Sequence, residues 1–409
     1  MNAPRLPLKP LDDALDDLLA RARPIGGREE VDTFDADGRV LAADLVSPLQ
    51  VPPQDNSSMD GYAVRSAEIA DEGVALPVSQ RIPAGSEARP LQPGTAARIF
   101  TGAPVPEGAD AIVMQEDTEA APDNHVRILR VPAAGQWIRR SGEDVRRGDV
   151  VLQKGERLTP QACGLAASIG LKTLPVAVRP KVALFSTGDE LVMPGEVAPA
   201  AMKPGAIYNS NRFFLSALLR RLECEVSDYG IVPDRRDATL AALKHAGASH
   251  DLILTSGGVS VGEEDHIKPA VQQLGSLDLW QIAMKPGKPF AYGTVGAAHF
   301  IGLPGNPVSS FVTFLLLVRP FLLKLQGASQ LQPVPLLLPA HFDWPRPDKR
   351  REFLRVRRNA EGGLELFTNQ SSGVLTSTVW ADGFADIPAQ QPVKRGELVR
   401  FLPVAELLA

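Results

Sequence analysis

The chain has 409 residues, 44% of them hydrophobic and 22% charged, and its 43 Lys and Arg against 48 Asp and Glu give a formal charge of −5. That composition excludes a disordered chain, and the slight acidity argues against a dedicated nucleic-acid binder, which would carry a broad basic face. The two cysteines, Cys163 and Cys224, make neither a disulfide framework nor a metal-ligand spacing, which points to a reducing compartment.

At roughly 150 residues per domain the length predicts two to four domains. Leu11, Ala14, Leu15, Leu18 and Leu19 recur at helical spacing, with Asp12 and Asp13 at the positive end of the dipole, so the first element is a helix ending before Pro24. From 46 to about 148 the pattern turns to short β-type runs (63–64, 97–99, 111–114, 126–131) broken by Pro and Gly. A second amphipathic segment, 160–169, resembles the first helix. The expected domains are therefore 1–46 plus 148–178, with a β-rich domain 47–147 inserted.

From Lys181 strands and helices alternate: strands at 182–185, 229–232, 251–254 and 300–303, helices at 213–222, 238–244, 266–274 and 308–325, the last interrupted at Pro320. Continuous apolar runs such as Val182-Ala183-Leu184-Phe185 are the pattern of strands buried on both faces. Residues 179–328 are thus expected to form a doubly wound, mostly parallel sheet. Runs at 353–356, 364–367 and 397–402 predict a C-terminal β domain, 329–409. The expected fold class is α/β multidomain: this sheet domain, the inserted β-rich domain, an elongated N-terminal helical domain and a C-terminal β-barrel-like domain. The longest apolar run, 311–318, stops at Arg319-Pro320, short of the roughly 20 residues a span requires. With no apolar stretch in 1–10 to make a signal peptide, a soluble, cytoplasmic protein with no membrane partner is expected.

Open parallel sheets bind ligands at the carboxyl ends of their strands. Three loops at such ends share one character: Ser186-Thr187-Gly188-Asp189-Glu190, the segment 255–265 (TSGGVSVGEED), and Pro304-Gly305-Asn306-Pro307-Val308-Ser309-Ser310. Glycines let backbone approach a ligand, and hydroxyls and helix N-terminal amides bind anions. Asn306 and Pro307 read as the N-cap and first position of a helix that aims free N–H groups at its loop. Lys285 and Lys288, in the stiff sequence Met284-Lys285-Pro286-Gly287-Lys288-Pro289, suit an oxyanion; a solvated turn with incidental charges is the competing reading. Each charge-assisted hydrogen bond is worth about 1.5–3 kcal/mol, enough for several to hold a phosphorylated ligand without a deep apolar pocket. No Walker sequence, GxGxxG helix start or G-x-S-x-G elbow occurs, so NTPase, Rossmann dehydrogenase and serine-hydrolase readings fail.

Acidic positions accompany these loops: Asp189, Glu190 and Asp265 in the sheet domain, Asp55, Asp60, Glu143 and Asp144 in the β region. Singly, each reads as a cap or surface charge. Two carboxylates ~4 Å apart repel by ~4 kcal/mol at an effective dielectric of 20, so a converging cluster calls for a cation. Hard oxygen ligands beside phosphate favour Mg²⁺, and no histidine pair supports zinc. The basic stretch 346–358 has one interleaved aromatic, Phe353, and reads as a solvated strand face or as the source of one Arg reaching an anion on a neighbouring subunit.

Seven blocks in order strongly resemble the molybdopterin molybdenumtransferase family, known as MoeA in bacteria and as the E domain of gephyrin in animals. They are DNSSMDGYAVR (55–65), TGAPVPEGADAIVMQED (101–117), IRRSGEDV (138–145), FSTGDEL (185–191), TSGGVSVGEED (255–265), MKPGKPFAYG (284–293) and GLPGNPVSS (302–310). The resemblance implies insertion of molybdenum from molybdate into adenylylated molybdopterin with release of AMP, at a site between the α/β domain and parts of a partner subunit in a homodimer. It implies that Ser186, Gly257, Gly258, Ser260, Pro304, Asn306, Pro307 and Ser309 cradle phosphate and pterin, and that Glu190 and Asp265 hold Mg²⁺. Lys285 and Lys288 would draw molybdate. Asp60 and Asp144 would complete the site with Thr101 and Arg139 nearby, Asp234 would fill a matching acidic position, and Arg350 and Ser371 would come from the C-terminal domain. Implied protein partners are a molybdopterin adenylyltransferase and apo-molybdoenzymes, with no nucleic acid. Two positions depart from the family pattern: His266 replaces an aromatic residue after the loop Asp, and Asn209-Ser210-Asn211 replaces a Tyr-Asp-x-Asn type sequence. Alternatives are a scaffold protein, which would call for a long linker and fused partner domain, or a tungstate-specific paralogue.

Overall fold

The computed structural model describes residues 7–232, 235–258 and 266–408. The chain forms two compact units, one of Met1–Ala43, Lys154–Thr159 and Leu174–Ala409, the other of Asp44–Gln153 and Pro160–Thr173. This division is coarser than the four segments expected from the sequence, and the helix Pro160–Ser168 falls in the second unit.

Elements of the first unit are β1 (Leu8–Lys9), α1 (Leu11–Arg21), β2 (Lys181–Ser186), α2 (Ser210–Arg221), β3 (Glu225–Ile231), α3 (Arg236–Ser249), β4 (Leu252–Ser256), α4 (Ile267–Leu274), β5 (Gly275–Ile282), β6 (Pro289–Val295), β7 (Ala298–Leu303), α5 (Pro307–Thr313) and α6 (Arg319–Leu325). Among the described residues they make one seven-stranded sheet in the order β1-β5-β6-β7-β4-β2-β3. Strands β3, β2, β4 and β7 are mutually parallel, while β6 runs antiparallel to both its neighbours. Alternate residues of the central strands feed two cores. Val182, Leu184, Leu252, Leu254, Ile301 and Leu303 pack with α1, α2 and the long C-terminal helix; Ala183, Phe185, Ile253 and Phe300 pack with α3 and α4. Covering both faces is what the unbroken apolar runs require, each large side chain contributing about 1.5–3 kcal/mol on burial.

Strands β5 and β6 are not legible in the sequence, because Gly275, Gly293 and Pro289 read as breaks. Here the two glycines admit close approach of the paired backbones: a Cβ on Gly275 would strike the Thr294 carbonyl, and one on Gly293 the Ser276 carbonyl.

The long helix also departs from expectation. Its irregularity precedes Pro320, as a π segment Phe314–Val318, after which the helix resumes as α6. Proline lacks an N–H and crowds the carbonyl four residues back, and one wider turn relieves that conflict. Arg319-Pro320 is therefore no stop. Pro307–Leu325 becomes a helix long and apolar enough to cross a membrane, correcting the expectation from the shorter run, yet most of it is buried inside this fold. Arg319 is buried with it, its guanidinium donating to the carbonyls of Leu331 (3.1 Å) and Glu406 (3.2 Å).

The first unit continues with β8 (Leu336–Pro339), β9 (Arg351–Arg358), β10 (Leu364–Leu366), β11 (Gly383–Ile387) and β12 (Leu398–Pro403). A short strand, Met284–Lys285, joins the edge of this second sheet parallel to β9, pairing Lys285 with Glu352. Arg351 ties α1 in, bonding Asp386 at 2.6 Å and Asp12 at 2.9 Å.

In the second unit Gly61–Val64 lies between Ala111–Met114 and Ala96–Ile99 in a six-stranded sheet. Gly61 is required there, since a Cβ would strike the Val113 carbonyl.

Candidate functional site

The carboxyl ends of β2, β4 and β7 lie side by side, Ser186 opposite Ser256 and Ser256 opposite Leu303, so all three expected loops begin at one sheet edge. Asn211, on the first turn of α2, fastens two of them: its amide donates to Ser256 Oγ (2.7 Å) and to the Gly305 carbonyl (2.8 Å). Gly257 N–H donates to the Leu303 carbonyl at 3.1 Å. Gly257 and Gly258 both have positive φ (+92° and +67°), and a Cβ on Gly257 would lie 2.7 Å from the Thr187 carbonyl. Only glycine lets these loops approach so closely. The same edge gathers buried polar atoms with no hydrogen-bond partner among the described residues: the hydroxyls of Ser186, Thr187, Thr255 and Ser310, and the Asn209 amide nitrogen. Leaving such a group unpaired costs about 1–3 kcal/mol, a cost that an oxygen-rich ligand able to reach it would relieve.

Glu190 is exposed in its loop, and its carboxylate covers Gly188, where a Cβ would sit 2.6 Å from an oxygen. Asn306 does occupy the N-cap and Pro307 the first helical position, but the Asn306 side chain makes no cap bond. The sequence reading of free N–H groups at this helix start is corrected at Val308, whose amide donates to the Ser372 carbonyl at 3.0 Å. That bond brings the Ser371 loop to the helix start beside Pro304 and the buried Ser309.

A second cluster surrounds Lys285. Its ammonium lies 3.0 Å from Glu352 Oε1 and 3.5 Å from Asp348 Oδ2. Arg350 grips Asp348 with two nitrogens, at 3.0 and 2.9 Å, and these bonds hold the Asp348 carboxyl well below the usual carboxylate range. Glu352 Oε2 accepts from Trp344 Nε1 and the Asp348 amide, both at 2.8 Å. Lys288 is exposed and makes no ion pair among the described residues. Gly287 (φ +114°) lets this loop lie against Thr313 of the long helix.

In the second unit Asp60 Oδ1 accepts from both the amide and the hydroxyl of Thr101, each at 2.7 Å, which lowers its pKa. Arg139 pairs with Asn56 in a short antiparallel ladder, and Gly102 N–H donates to the Ser57 carbonyl at 2.8 Å, so Asp60, Thr101 and Arg139 share one neighbourhood. Asp144 is exposed, its amide on the Val51 carbonyl at 3.1 Å. Asp55 is structural: it accepts from Arg140 (2.6 Å) and from the Ser141 amide (2.8 Å).

Asp234, Ser260 and Asp265 lie outside the described residues. Among the described residues no group of three His, Cys, Asp or Glu side chains forms a ready metal cage. Glu190 offers hard oxygens beside a phosphate-type loop, a donor chemistry that fits magnesium shared with a ligand's phosphates. Sequence reasoning missed Asn211, Asp348 and Glu352, whose roles depend on partners 45 to 94 positions away, or on a sheet edge, that no local pattern marks.

A multi-sheet α/β chain whose parallel strands end together in glycine-bearing loops with unpaired hydroxyls has the build of the α/β proteins that bind ligands at their strand ends. Family models match nearly end to end: the MoeA N-terminal region (domain I and II) over residues 9–170, a probable molybdopterin binding domain over 183–324, and the MoeA C-terminal region (domain IV) over 338–404. The molybdopterin molybdenumtransferase of Haemophilus influenzae is 39% identical over 93% of this chain and 95% of its own. Molybdopterin molybdenumtransferase 2 of Mycobacterium tuberculosis is 39% identical over 91% and 93%. The crystal structure of a molybdopterin biosynthesis MoeA protein from Pyrococcus horikoshii OT3 superposes with a TM-score of 0.84 at 31% identity, covering 97% of this chain and 99% of that one. The chain belongs to the molybdopterin molybdenumtransferase family, transferases of molybdenum cofactor biosynthesis.

Proposed function

We propose that this enzyme takes up adenylylated molybdopterin and molybdate, places molybdenum in the dithiolene and releases AMP. The observation that carries this reading is the single sheet edge where Asn211 fastens the Ser256 and Gly305 loops amid unpaired hydroxyls. Ser186, Gly257, Gly258, Pro304, Asn306, Pro307 and Ser309, with Ser260 of the same loop, would cradle phosphate and pterin. Lys285, Lys288, Arg350 and Ser371 would receive the oxyanion, and each charge-assisted bond there is worth about 1.5–3 kcal/mol. Glu190 and Asp265 would hold magnesium, which when bound offsets phosphate charge. Asp60 and Asp144, with Thr101, Arg139 and Asp234, would complete the site in a homodimer, and a molybdopterin adenylyltransferase and apo-molybdoenzymes would be the partners before and after.

The test is direct. Purified protein with adenylylated molybdopterin and Mg²⁺ should release AMP when molybdate is added and not in a molybdate-free control. Tight nucleotide binding without molybdate-dependent AMP would overturn the reading.

A further inference from the structure

Glu352 is 1% exposed, and its Oε1 accepts no hydrogen bond among the described residues; it faces the Lys285 ammonium 3.0 Å away as an ion pair. Everything else about this carboxylate is fixed. Its backbone in β9 pairs with Lys285 on the neighbouring edge strand, and its Oε2 is held by Trp344 Nε1 and the Asp348 amide at 2.8 Å. Lys285 by contrast is 40% exposed and has a four-carbon stem that would otherwise sample many rotamers, at a cost of roughly 1.5–2 kcal/mol to immobilise. Asp348, the other acid near it, already gives both oxygens to Arg350. The cluster therefore holds two cations and two carboxylates, with one cation, Lys285, reaching toward solvent.

We infer that Glu352 is a positioning residue: it aims Lys285 before the oxyanion arrives, so that molybdate meets an ordered ammonium beside the exposed Lys288. This rests on the reading of Lys285 as an oxyanion group. Buried and held by two N–H donors, the Glu352 carboxylate is turned toward Lys285 and away from solvent. Its charge is spent on Lys285 and two N–H donors rather than presented to the ligand.

Glu352→Gln isolates the role, because the amide oxygen can keep the Trp344 and Asp348 bonds while an NH₂ replaces the oxygen that faces Lys285. In the full-length variant the KM for molybdate should rise about tenfold, with the KM for adenylylated molybdopterin within about twofold of the parent. In a Lys285→Met background the same change should add nothing further. An unchanged molybdate KM in folded Glu352→Gln, or an undiminished further loss on Lys285→Met, would overturn the positioning role. If Lys285→Met alone leaves molybdate dependence intact, the oxyanion reading falls first and the proposal with it. Should Glu352→Gln fail to fold, limited acylation of the parent chain decides. A tethered Lys285 should react several-fold more slowly than Lys288, located by fragment-ion mass spectrometry, and equal rates would overturn the tether.

Discussion

Asp60 draws its properties from Thr101, whose amide and hydroxyl both donate to one carboxylate oxygen. Hydrogen bonds to the charged form depress a pKa, so the contribution of Asp60 to stability is fully present above the ordinary carboxylate value and is lost as pH falls through the lower folded one. Thr101→Ala removes the hydroxyl and keeps the amide. The Asp60 pKa should then move up toward 3.8, its unshifted value, without reaching it, and the acid limb of activity should move to higher pH with it. Carboxyl-carbon NMR titration of labelled aspartate checks the first, and a pH–rate profile the second. An unmoved titration would mean that the amide bond alone sets this group.

At the scale of elements, the site depends on how one helix start reaches across two strands. Asn211 stands on the first turn of α2 and bonds β4 and the β7–α5 loop at once. Asn211→Ala strips a partner from Ser256 and from the Gly305 carbonyl and should cost about 1–3 kcal/mol. Urea unfolding should show a lower midpoint at unchanged slope, with weaker binding of the adenylylated pterin. A loss of stability with full ligand affinity would separate the fold from the site. The departure at Asn209-Ser210-Asn211 is thereby given a structural meaning: Asn209 caps α2 by accepting from the Arg212 amide at 3.3 Å, while Asn211 braces the loops.

Across the whole molecule, the candidate residues fall in two compact units, Asp60, Thr101, Arg139 and Asp144 in one and the strand-end loops with the Lys285 cluster in the other. The proposed sharing of the site between subunits of a homodimer makes a quantitative prediction. Asp60→Ala and Lys285→Met should each keep only a small, measurable residual activity alone, yet co-expression of the two should raise activity to about a quarter of the parental level, because half the dimers are mixed and each mixed dimer has one intact site of two. Activity at the background of either variant would place both residues in a site made by one chain. Sedimentation of the same samples gives the dimer fraction against which the recovery is read.

The parallel core and the meeting of the three strand-end loops at one edge are legible from the residues alone. Unbroken apolar runs at β2, β4 and β7 can be satisfied only by burial on both faces, and the Gly- and Ser-rich segments that follow them must then emerge together. The helices α1, α2, α3 and α4 were equally legible, since their periodicity is local. Tertiary structure decided the rest. Glycines at 275 and 293 look like breaks until a partner backbone occupies the space a Cβ would fill. Pro320 looks like a helix end until a π turn ahead of it accommodates the ring. Lys285 looks like a free cation until the strand Met284–Lys285 docks beside β9 and sets Glu352 against it. In each case the deciding partner lies far off in the chain, so the physical property concerned, whether backbone approach, helix continuity or charge, is fixed only when the two segments meet.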